Sequence, residues 1–180
     1  TAANAEVGPV PAASSPAGGA APESDPSLPL GKWQESVVGV WSPTTRASGF
    51  LIDARGLIAT DRRAVGNAAS VEVQLSPTVK VPARVLFSDG SRDVAIVWVA
   101  PSVVSARAPL PLPCPPAAPP PLDEGQEIVT IAAPLRSGTD LIQGDVTGFQ
   151  PRAIETDMRL PFGGAGGPVF NETGGVVGLT

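Results

Sequence analysis

The sequence predicts an all-β protein with two lobes, and three observations support this prediction. Short apolar or alternating segments recur from Val37 to Thr180, separated by turns rich in Gly, Pro, Asp and Ser. No segment shows the periodicity of a long amphipathic helix. Nine prolines fall between residues 101 and 121, a density that predicts neither helix nor strand and favours an extended linker between the lobes.

The N-terminal lobe is predicted to contain six strands. They are, in order, Val37–Trp41, Gly49–Ile52, Leu57–Thr60, Val71–Leu75, Val79–Phe87 and Val94–Val99. The segment Asp53–Gly56 supplies turn residues between the second and third strands. The fourth strand alternates apolar and polar residues, as a strand with one solvated face does. Pro82 in the fifth strand predicts an edge strand or a bulge, because proline cannot donate a ladder hydrogen bond.

The C-terminal lobe is predicted to contain five further strands. They are Glu127–Ala132, Leu141–Thr147, Ala153–Thr156, Gly167–Phe170 and Val176–Thr180. The predicted organisation is therefore a disordered Ala/Pro-rich linker over 1–30, an N-terminal lobe over 31–105, a Pro-rich linker over 106–123 and a C-terminal lobe over 124–180, built as a sandwich or a barrel pair. Trp33, Trp41 and Trp98 are interpreted as core or lobe-packing residues.

Composition excludes several classes of function. The formal net charge is −5, and Glu6, Glu23 and Asp25 in the first linker contribute three of these charges. No segment is basic enough to predict nucleic-acid binding, and no apolar run of about 18 residues predicts a membrane span. With no histidine and one cysteine, Cys114, no metal or other cofactor is expected. The chain begins at Thr1 rather than Met, which suggests a processed or excised piece.

Three segments carry a resemblance to a known family. They are Ser48–Val65, Ser91–Ile96 and Thr156–Val169, the last of which contains Gly-Gly-Ala-Gly-Gly-Pro. In this order they resemble the HtrA (Deg) serine proteases of the trypsin-like fold. The resemblance implies a chymotrypsin/trypsin-like double antiparallel β-barrel with an active-site cleft between the barrels. It also implies that Arg63, Asp93 and Ala165 occupy the positions of the catalytic base, the orienting aspartate and the nucleophile.

The residues at these positions do not suit the family's chemistry. The triad mechanism needs a base that takes the serine proton and returns it to the leaving amine. Arg63 stays protonated and offers no acceptor, and Ala165 has no oxygen to acylate. The resemblance therefore implies a catalytically inactive homologue, a pseudoprotease. Ala165 alone is open to two interpretations, natural or introduced, whereas Arg63 and the lack of histidine favour a natural pseudoprotease.

The remaining site residues have a structural and a functional interpretation. Asp93 is either a satisfied structural carboxylate or the partner of an Arg63–Asp93 ion pair across the inactive site. Gly163, Gly164 and Ala165 either retain the oxyanion-type turn, which depends on backbone N–H groups, or form only a turn.

The resemblance also bears on partners. The second barrel is expected to lack its last strand within this chain, and a protein partner or another segment of the precursor is expected to complete it. The leading hypothesis is a scaffold or interaction module within a larger protein or complex. Two alternatives stay open. One is an inactive half or fragment of an active protease whose working site lies elsewhere, and the other is a peptide-binding module that uses the vestigial cleft.

Overall fold

The computed structural model describes residues 27–112, 122–133 and 140–180, and within these ranges the chain is mostly β-strand. The strands are β1 (Val37–Trp41), β2 (Arg46–Asp53), β3 (Leu57–Asp61), β4 (Ser70–Ser76), β5 (Val79–Asp89), β6 (Val94–Trp98), β7 (Glu127–Ala132), β8 (Asp140–Gln150), β9 (Ala153–Thr156), β10 (Pro168–Asn171) and β11 (Val176–Leu179). All eleven predicted strands are present, with end points that move by at most three residues. The predicted all-β class is confirmed.

The first six strands close into an antiparallel barrel in the order β1-β2-β3-β6-β5-β4. Alternate side chains point inward because successive residues of a strand face opposite sides. The largest fully buried residues of this core include Val38, Val40, Leu51, Ile58, Val73 and Val97. β5 pairs with β4 and β6, but at Pro82 it pairs with β4 only, because β6 ends opposite Arg84. The predicted edge position therefore holds locally at Pro82, and a bulge lies further along, between Val85 and Phe87.

The other five strands form an open sheet, the half-barrel, in the order β11-β10-β7-β8-β9. All its pairs are antiparallel. Ile128, Val146 and Val169 are buried on its concave face. Among the described residues, β11 and β9 each pair with one strand only. The molecule therefore combines one closed barrel with one half-barrel, in agreement with the predicted open second barrel.

Three helices are present that the sequence patterns do not predict, α1 (Ser27–Ser36), α2 (Arg62–Val65) and α3 (Pro101–Val104). The boundary predicted at residue 30 falls inside α1, and residues 1–26 lie outside the described residues. α1 is held by tertiary contact: the Trp33 ring stacks on Phe170 of β10, with ring centroids 4.3 Å apart. Gly174 in the β10–β11 turn has φ +80°, and an added Cβ would lie 2.5 Å from the Trp33 ring.

The start of the proline-rich segment is ordered, contrary to the prediction that no helix forms there. Pro101 opens α3, where its missing N–H costs nothing. Further on, the Arg107 guanidinium donates to the carbonyls of Glu35 and Leu75, and the Leu110 N–H donates to Leu51 O at 2.8 Å. The segment therefore runs back along the closed barrel. Residues 113–121, including Cys114, lie outside the described residues.

The contact between the two sheets is a separate apolar cluster. It consists of Val37, Phe50, Ala59, Leu110, Ile131 and Phe170, with Trp33 packed against it. The predicted packing role of Trp33 is thus confirmed.

In the described part of the chain, no helix is long and apolar enough to cross a membrane.

Candidate functional site

Arg63 is positioned by the helix start that follows β3. Asp61 is the last residue of β3 and the N-cap of α2, and its Oδ1 accepts the Arg63 backbone N–H at 2.5 Å. Aspartate is favoured at this position because its carboxylate satisfies a helix N–H that has no intrahelical partner. The cap fixes Arg63 in the first turn of α2, where its side chain is 77% exposed.

Asp93 reaches Arg63 from the turn between β5 and β6. Arg63 donates to Asp93 Oδ2 through Nε at 2.9 Å and through Nη2 at 2.7 Å. These hydrogen bonds raise the pKa of Arg63 above its ordinary value. Asp93 has φ +56°, and it is the one non-glycine residue with positive φ in the described part of the chain. The predicted ion pair between Arg63 and Asp93 is present.

Asp61 lies behind this pair and is more buried. Burial is the largest cause that raises the pKa of Asp61, and the negative charge of Asp93 adds to it. The N–H of Arg63 and the positive charges of Arg63 and Arg62 act in the opposite direction. Asp61 was missed by sequence reasoning, although an aspartate at the end of a predicted strand is a recognisable helix-cap signal.

The glycine-rich turn before β10 packs against the same end of the closed barrel. The Ser48 N–H donates to Ala165 O at 2.7 Å, and the Ser48 hydroxyl donates to Gly163 O at 2.9 Å. Gly166 has φ +88°, and an added Cβ would lie 2.9 Å from the Asp61 backbone N. The turn containing Ala165 therefore sits against the strand end that leads into Arg63.

The backbone amides of this turn are partly paired. The Gly164 N–H donates to Pro161 O at 2.9 Å, and the Gly166 N–H donates to Thr180 O at 2.5 Å. Over residues 27–112, 122–133 and 140–180, neither the Gly163 nor the Ala165 N–H has a hydrogen-bond acceptor. These two amides are the free donors of the turn for which the sequence leaves two interpretations open, an oxyanion-type turn or only a turn.

A cavity of about 980 Å³ lies between the closed barrel and the half-barrel, beside the apolar cluster that joins them. Its wall is mostly apolar and includes Ile128, Ile154 and Val177 of the half-barrel, while Arg63 and Asp93 also line it. The structure thus places the ion pair at a cleft between the two sheets.

Two further arginines line the cavity and were missed by sequence reasoning. Arg92 binds Asp89 in the β5–β6 turn, with Nη1 2.8 Å from Oδ2. Arg152, in the β8–β9 turn, donates across the cleft to Ser91 O at 3.4 Å. No local sequence signal marks Arg152, because only the fold brings the two turns together. Among the described residues, no group of three or more Cys, Asp or Glu side chains is arranged to hold a metal ion.

This fold defines the class of protein. The model of the trypsin-like peptidase domain family matches residues 47–179, and the chain belongs to that family. Its relatives are proteases of the HtrA/DegP type, which confirms the resemblance found in the sequence. The bovine mitochondrial serine protease HTRA2 is 29% identical over 150 residues, covering 76% of this chain and 31% of that protein. A probable periplasmic DegP-like serine endoprotease of Pseudomonas fluorescens is 29% identical over 144 residues, covering 73% of this chain and 28% of that protein.

Solved structures support the same fold. The crystal structure of Deg5 matches with a TM-score of 0.70 and 23% identity over 89% of this chain and 86% of that one. A serine endoprotease from Yersinia pestis matches with a TM-score of 0.70 and 20% identity over 85% of this chain and 56% of that one. The chain spans about a third of the length of the curated relatives it matches.

Proposed function

We propose that this chain is a catalytically inactive domain of the HtrA-like type that acts as an interaction module. The observation that carries the proposal is the Arg63–Asp93 ion pair, with Nη2 2.7 Å from Oδ2. If Asp93 corresponds to the orienting aspartate of the family, the group that it binds is a guanidinium rather than an imidazole. A guanidinium has five donors and no acceptor, so it supports ion pairing and not proton abstraction.

The rest of the chain offers no imidazole that could replace the missing catalytic base. The sequence contains no histidine, and the turn before β10 carries Ala165, which has no nucleophilic oxygen. Three hydroxyls lie near this turn, on Ser48, Thr60 and Thr180. Ser48 and Thr60 are fully buried, and all three donate to backbone carbonyls: Ser48 to Gly163 O, Thr60 to Ser48 O at 2.6 Å and Thr180 to Gly164 O at 3.0 Å. These contacts support a structural role for the three hydroxyls.

The first experiment measures hydrolysis and active-site labelling. The purified chain is expected to leave unfolded casein intact and to give no adduct with a fluorophosphonate probe, while an active HtrA-type protease serves as positive control. Hydrolysis at a rate that follows the purity of the chain would overturn the proposal. The alternative of an active protease with its site elsewhere predicts hydrolysis only when another domain or chain is present.

A paired substitution tests whether Arg63 and Ala165 hold the triad positions. The double variant Arg63→His/Ala165→Ser is expected to react with the fluorophosphonate probe, because it supplies a base next to Asp93 and a nucleophile in the glycine turn. Each single variant is the matched control and is expected to stay unlabelled. If the double variant also stays unlabelled while its circular dichroism spectrum is unchanged, Arg63 and Ala165 do not hold the triad positions.

The interaction role rests on the half-barrel. Among the described residues β11 pairs with β10 alone, so one row of its backbone donors and acceptors faces away from the sheet. We propose that a partner polypeptide or another segment of the precursor adds a strand there. Cross-linking mass spectrometry of the native assembly is expected to join β11 or the cleft at Arg63 to one other polypeptide. A folded, monomeric domain that captures nothing would count against the module.

A further inference from the structure

The closed barrel carries two tryptophans on its outer face. On β1, Val38 and Val40 are buried inside the barrel, so the next alternate side chain, that of Trp41, points outward. On β6, Val97 is buried inside in the same way, so Trp98 also points outward. Both indoles are partly exposed. The convex side of the barrel therefore presents two large amphipathic rings to its surroundings.

Three cations lie over these two rings. The Lys80 Nζ lies 3.2 Å and the Arg46 Cζ 4.1 Å from the ring centroid of Trp41. The Arg84 Cζ lies 5.7 Å from the ring centroid of Trp98. Lys80 and Arg84 are an even number of residues apart on β5, so both side chains point outward and join the two rings into one surface. We call these five residues the cation–indole face.

The positive charges of this face are not neutralised by ion pairs. Among the described residues, no carboxylate lies within salt-bridge distance of Arg46, Lys80 or Arg84. Glu72, opposite Trp41 on β4, brings one negative charge to the same side of the barrel. A cation–π contact holds a cation in place and leaves its charge intact. The face is therefore cationic in a chain whose formal net charge is −5.

Exposed apolar side chains accompany these cations along β5. Val79 precedes Lys80 and is 44% exposed, and Leu86 lies two residues after Arg84 and is 45% exposed. Lysine and arginine bury an apolar stem while their charged ends stay in water. Tryptophan is enriched where one end of the ring is apolar and the other is wet, as at a membrane interface. This combination suits the boundary between lipid head groups and acyl chains.

Two features of the face disfavour other anionic partners. A nucleic-acid base stacks on a free aromatic ring, but two cations this close to the Trp41 centroid cannot share one side of the ring, so Arg46 and Lys80 cover both sides. An acidic peptide strand pairs with a sheet edge, whereas every strand of the closed barrel has two neighbours. A lipid surface requires neither a free ring nor a strand edge.

We propose that the cation–indole face binds the surface of an anionic membrane, with its indoles among the lipid head groups and its three cations against lipid phosphates. The phosphates supply the negative charge that the protein leaves unmatched, and the head-group region accepts indoles and small apolar side chains. The proposal concerns the outer side of the closed barrel, so it depends neither on the cleft nor on the loss of catalytic activity.

Vesicle binding by the full chain tests the proposal. Vesicles of equal parts phosphatidylglycerol and phosphatidylcholine are compared with vesicles of phosphatidylcholine alone, by co-sedimentation at low salt. Binding is expected with the anionic vesicles only, and it should weaken in about 1 M NaCl, where the Debye length is about 3 Å. No binding to the anionic vesicles, or equal binding to both kinds, would overturn the proposal.

Two charge-matched double variants locate the binding face. Arg46→Gln/Lys80→Gln is expected to weaken binding to the anionic vesicles about thirtyfold, because each Lys or Arg near such a surface contributes about fivefold. Arg152→Gln/Arg159→Gln lowers the net charge equally at exposed positions outside the closed barrel and is expected to keep the binding. Equal losses in the two variants, with unchanged circular dichroism, would show a response to net charge alone and refute a defined face.

Tryptophan fluorescence shows whether the indoles meet the lipid. Brominated phosphatidylcholine in the anionic vesicles quenches indoles that lie close to the acyl chains, and the unchanged chain is expected to lose part of its emission on binding. Trp41→Phe/Trp98→Phe keeps only Trp33, which stacks on Phe170, and is expected to show no quenching while bound. Quenching that persists in this variant would place another surface against the membrane and contradict the proposal.

Other occupants of the face give different outcomes. Retention of a single-stranded DNA oligonucleotide or of polyglutamate without vesicle binding, lost in Lys80→Gln, would show that the face takes a polyanion and that the membrane assignment is wrong. Residues 1–26 carry Glu6, Glu23 and Asp25. A carbodiimide cross-link from Lys80 to one of these carboxylates, together with no vesicle binding, would assign the face to this segment instead.

Discussion

The closed barrel and the half-barrel are built from the same kinds of strand, but their cores have different boundaries. In the closed barrel every strand has two neighbours, and Ile58 is surrounded by other core side chains. In the half-barrel β9 and β11 each have one neighbour among the described residues, and Ile128 forms part of the cavity wall. Both isoleucines are fully buried. Equal burial therefore does not mean equal packing, and the cleft lined by Arg63 and Asp93 lies on the less completely packed side.

The comparison predicts a large difference between two identical substitutions. Ile58→Ala is expected to cost about 3–5 kcal/mol, because it leaves a cavity inside a closed barrel. Ile128→Ala is expected to cost about 1–2 kcal/mol less, because its surroundings already border open space and can relax. Urea denaturation followed by tryptophan fluorescence measures both. Equal costs would break the comparison and show that the half-barrel is as tightly packed as the closed barrel.

Two glycines test how α1 holds the half-barrel. Gly125 and Gly174 have φ of +83° and +80°, but an added Cβ meets nothing at Gly125 and the Trp33 ring at Gly174. Gly125→Ala is expected to cost about 1 kcal/mol for the backbone conformation alone. Gly174→Ala is expected to cost about 1–3 kcal/mol more, because the clash displaces Trp33.

Thermal midpoints and the fluorescence of Trp33 report the outcome of the glycine substitutions. Gly125→Ala is the matched control for backbone strain and should leave the emission spectrum unchanged. Identical midpoints for the two variants would mean that α1 moves away without cost, and that the Trp33–Phe170 stack contributes little to the half-barrel.

The same comparison explains which parts of the fold the sequence could predict. Alternation such as that of Val71–Leu75 follows from a strand with one buried face, so strand positions were predictable. α1 was not, because Pro29 and Gly31 lower its helix propensity and the Trp33–Phe170 contact joins residues far apart in sequence. Propensity describes a segment alone, whereas tertiary packing supplies most of the stability of a short helix.

The residues of the candidate site also fall into those that the sequence could predict and those that it could not. Arg63 and Asp93 were predicted because each lies in a contiguous motif, and their ion pair follows from opposite charges on facing turns. Arg152 was not, because it enters the cleft from the β8–β9 turn of the other sheet. Nothing in the sequence around Arg152 indicates that its side chain comes close to Ser91 of the β5–β6 turn.

The ion pair is expected to contribute little to stability despite its short distances. Arg63 is 77% exposed and Asp93 is 42% exposed, so solvent screens their attraction. Arg63→Ala is expected to cost less than about 1 kcal/mol, and its double-mutant cycle with Asp93→Asn to give a coupling of about 0.5 kcal/mol. Asparagine suits this cycle because it tolerates positive φ.

Salt provides the control for the ion pair. The coupling is expected to shrink in about 1 M NaCl, where the Debye length is about 3 Å. An unchanged melting midpoint for Arg63→Ala at low salt would count against any stabilising role of the pair. A coupling above about 2 kcal/mol would mean that the cleft excludes water more strongly than the exposure of the two side chains indicates.

The smallest expected effects on stability depend on pH, and they have opposite signs at the two ends of the closed barrel. Asp53, in the β2–β3 turn, accepts hydrogen bonds from Arg55, and these lower its pKa from 3.8 to about 2. Its charge therefore stabilises the fold above pH 3.8, and this contribution is lost as the pH falls through about 2. Burial raises the pKa of Asp61 at the cleft, so its contribution is present below 3.8 and lost as the pH rises through the higher folded value.

The two asparagine variants should consequently shift the melting midpoint in opposite directions. Asp53→Asn is expected to lower the midpoint at neutral pH, and the difference should vanish as the pH falls toward 2. Asp61→Asn is expected to raise it at neutral pH, since asparagine still caps α2 without a desolvated charge, and the gain should vanish in acid. A lower neutral midpoint for Asp61→Asn would mean that attraction to Arg63 and Arg62 outweighs burial. The cleft would then hold its carboxylate as an electrostatic anchor for the arginines at its mouth.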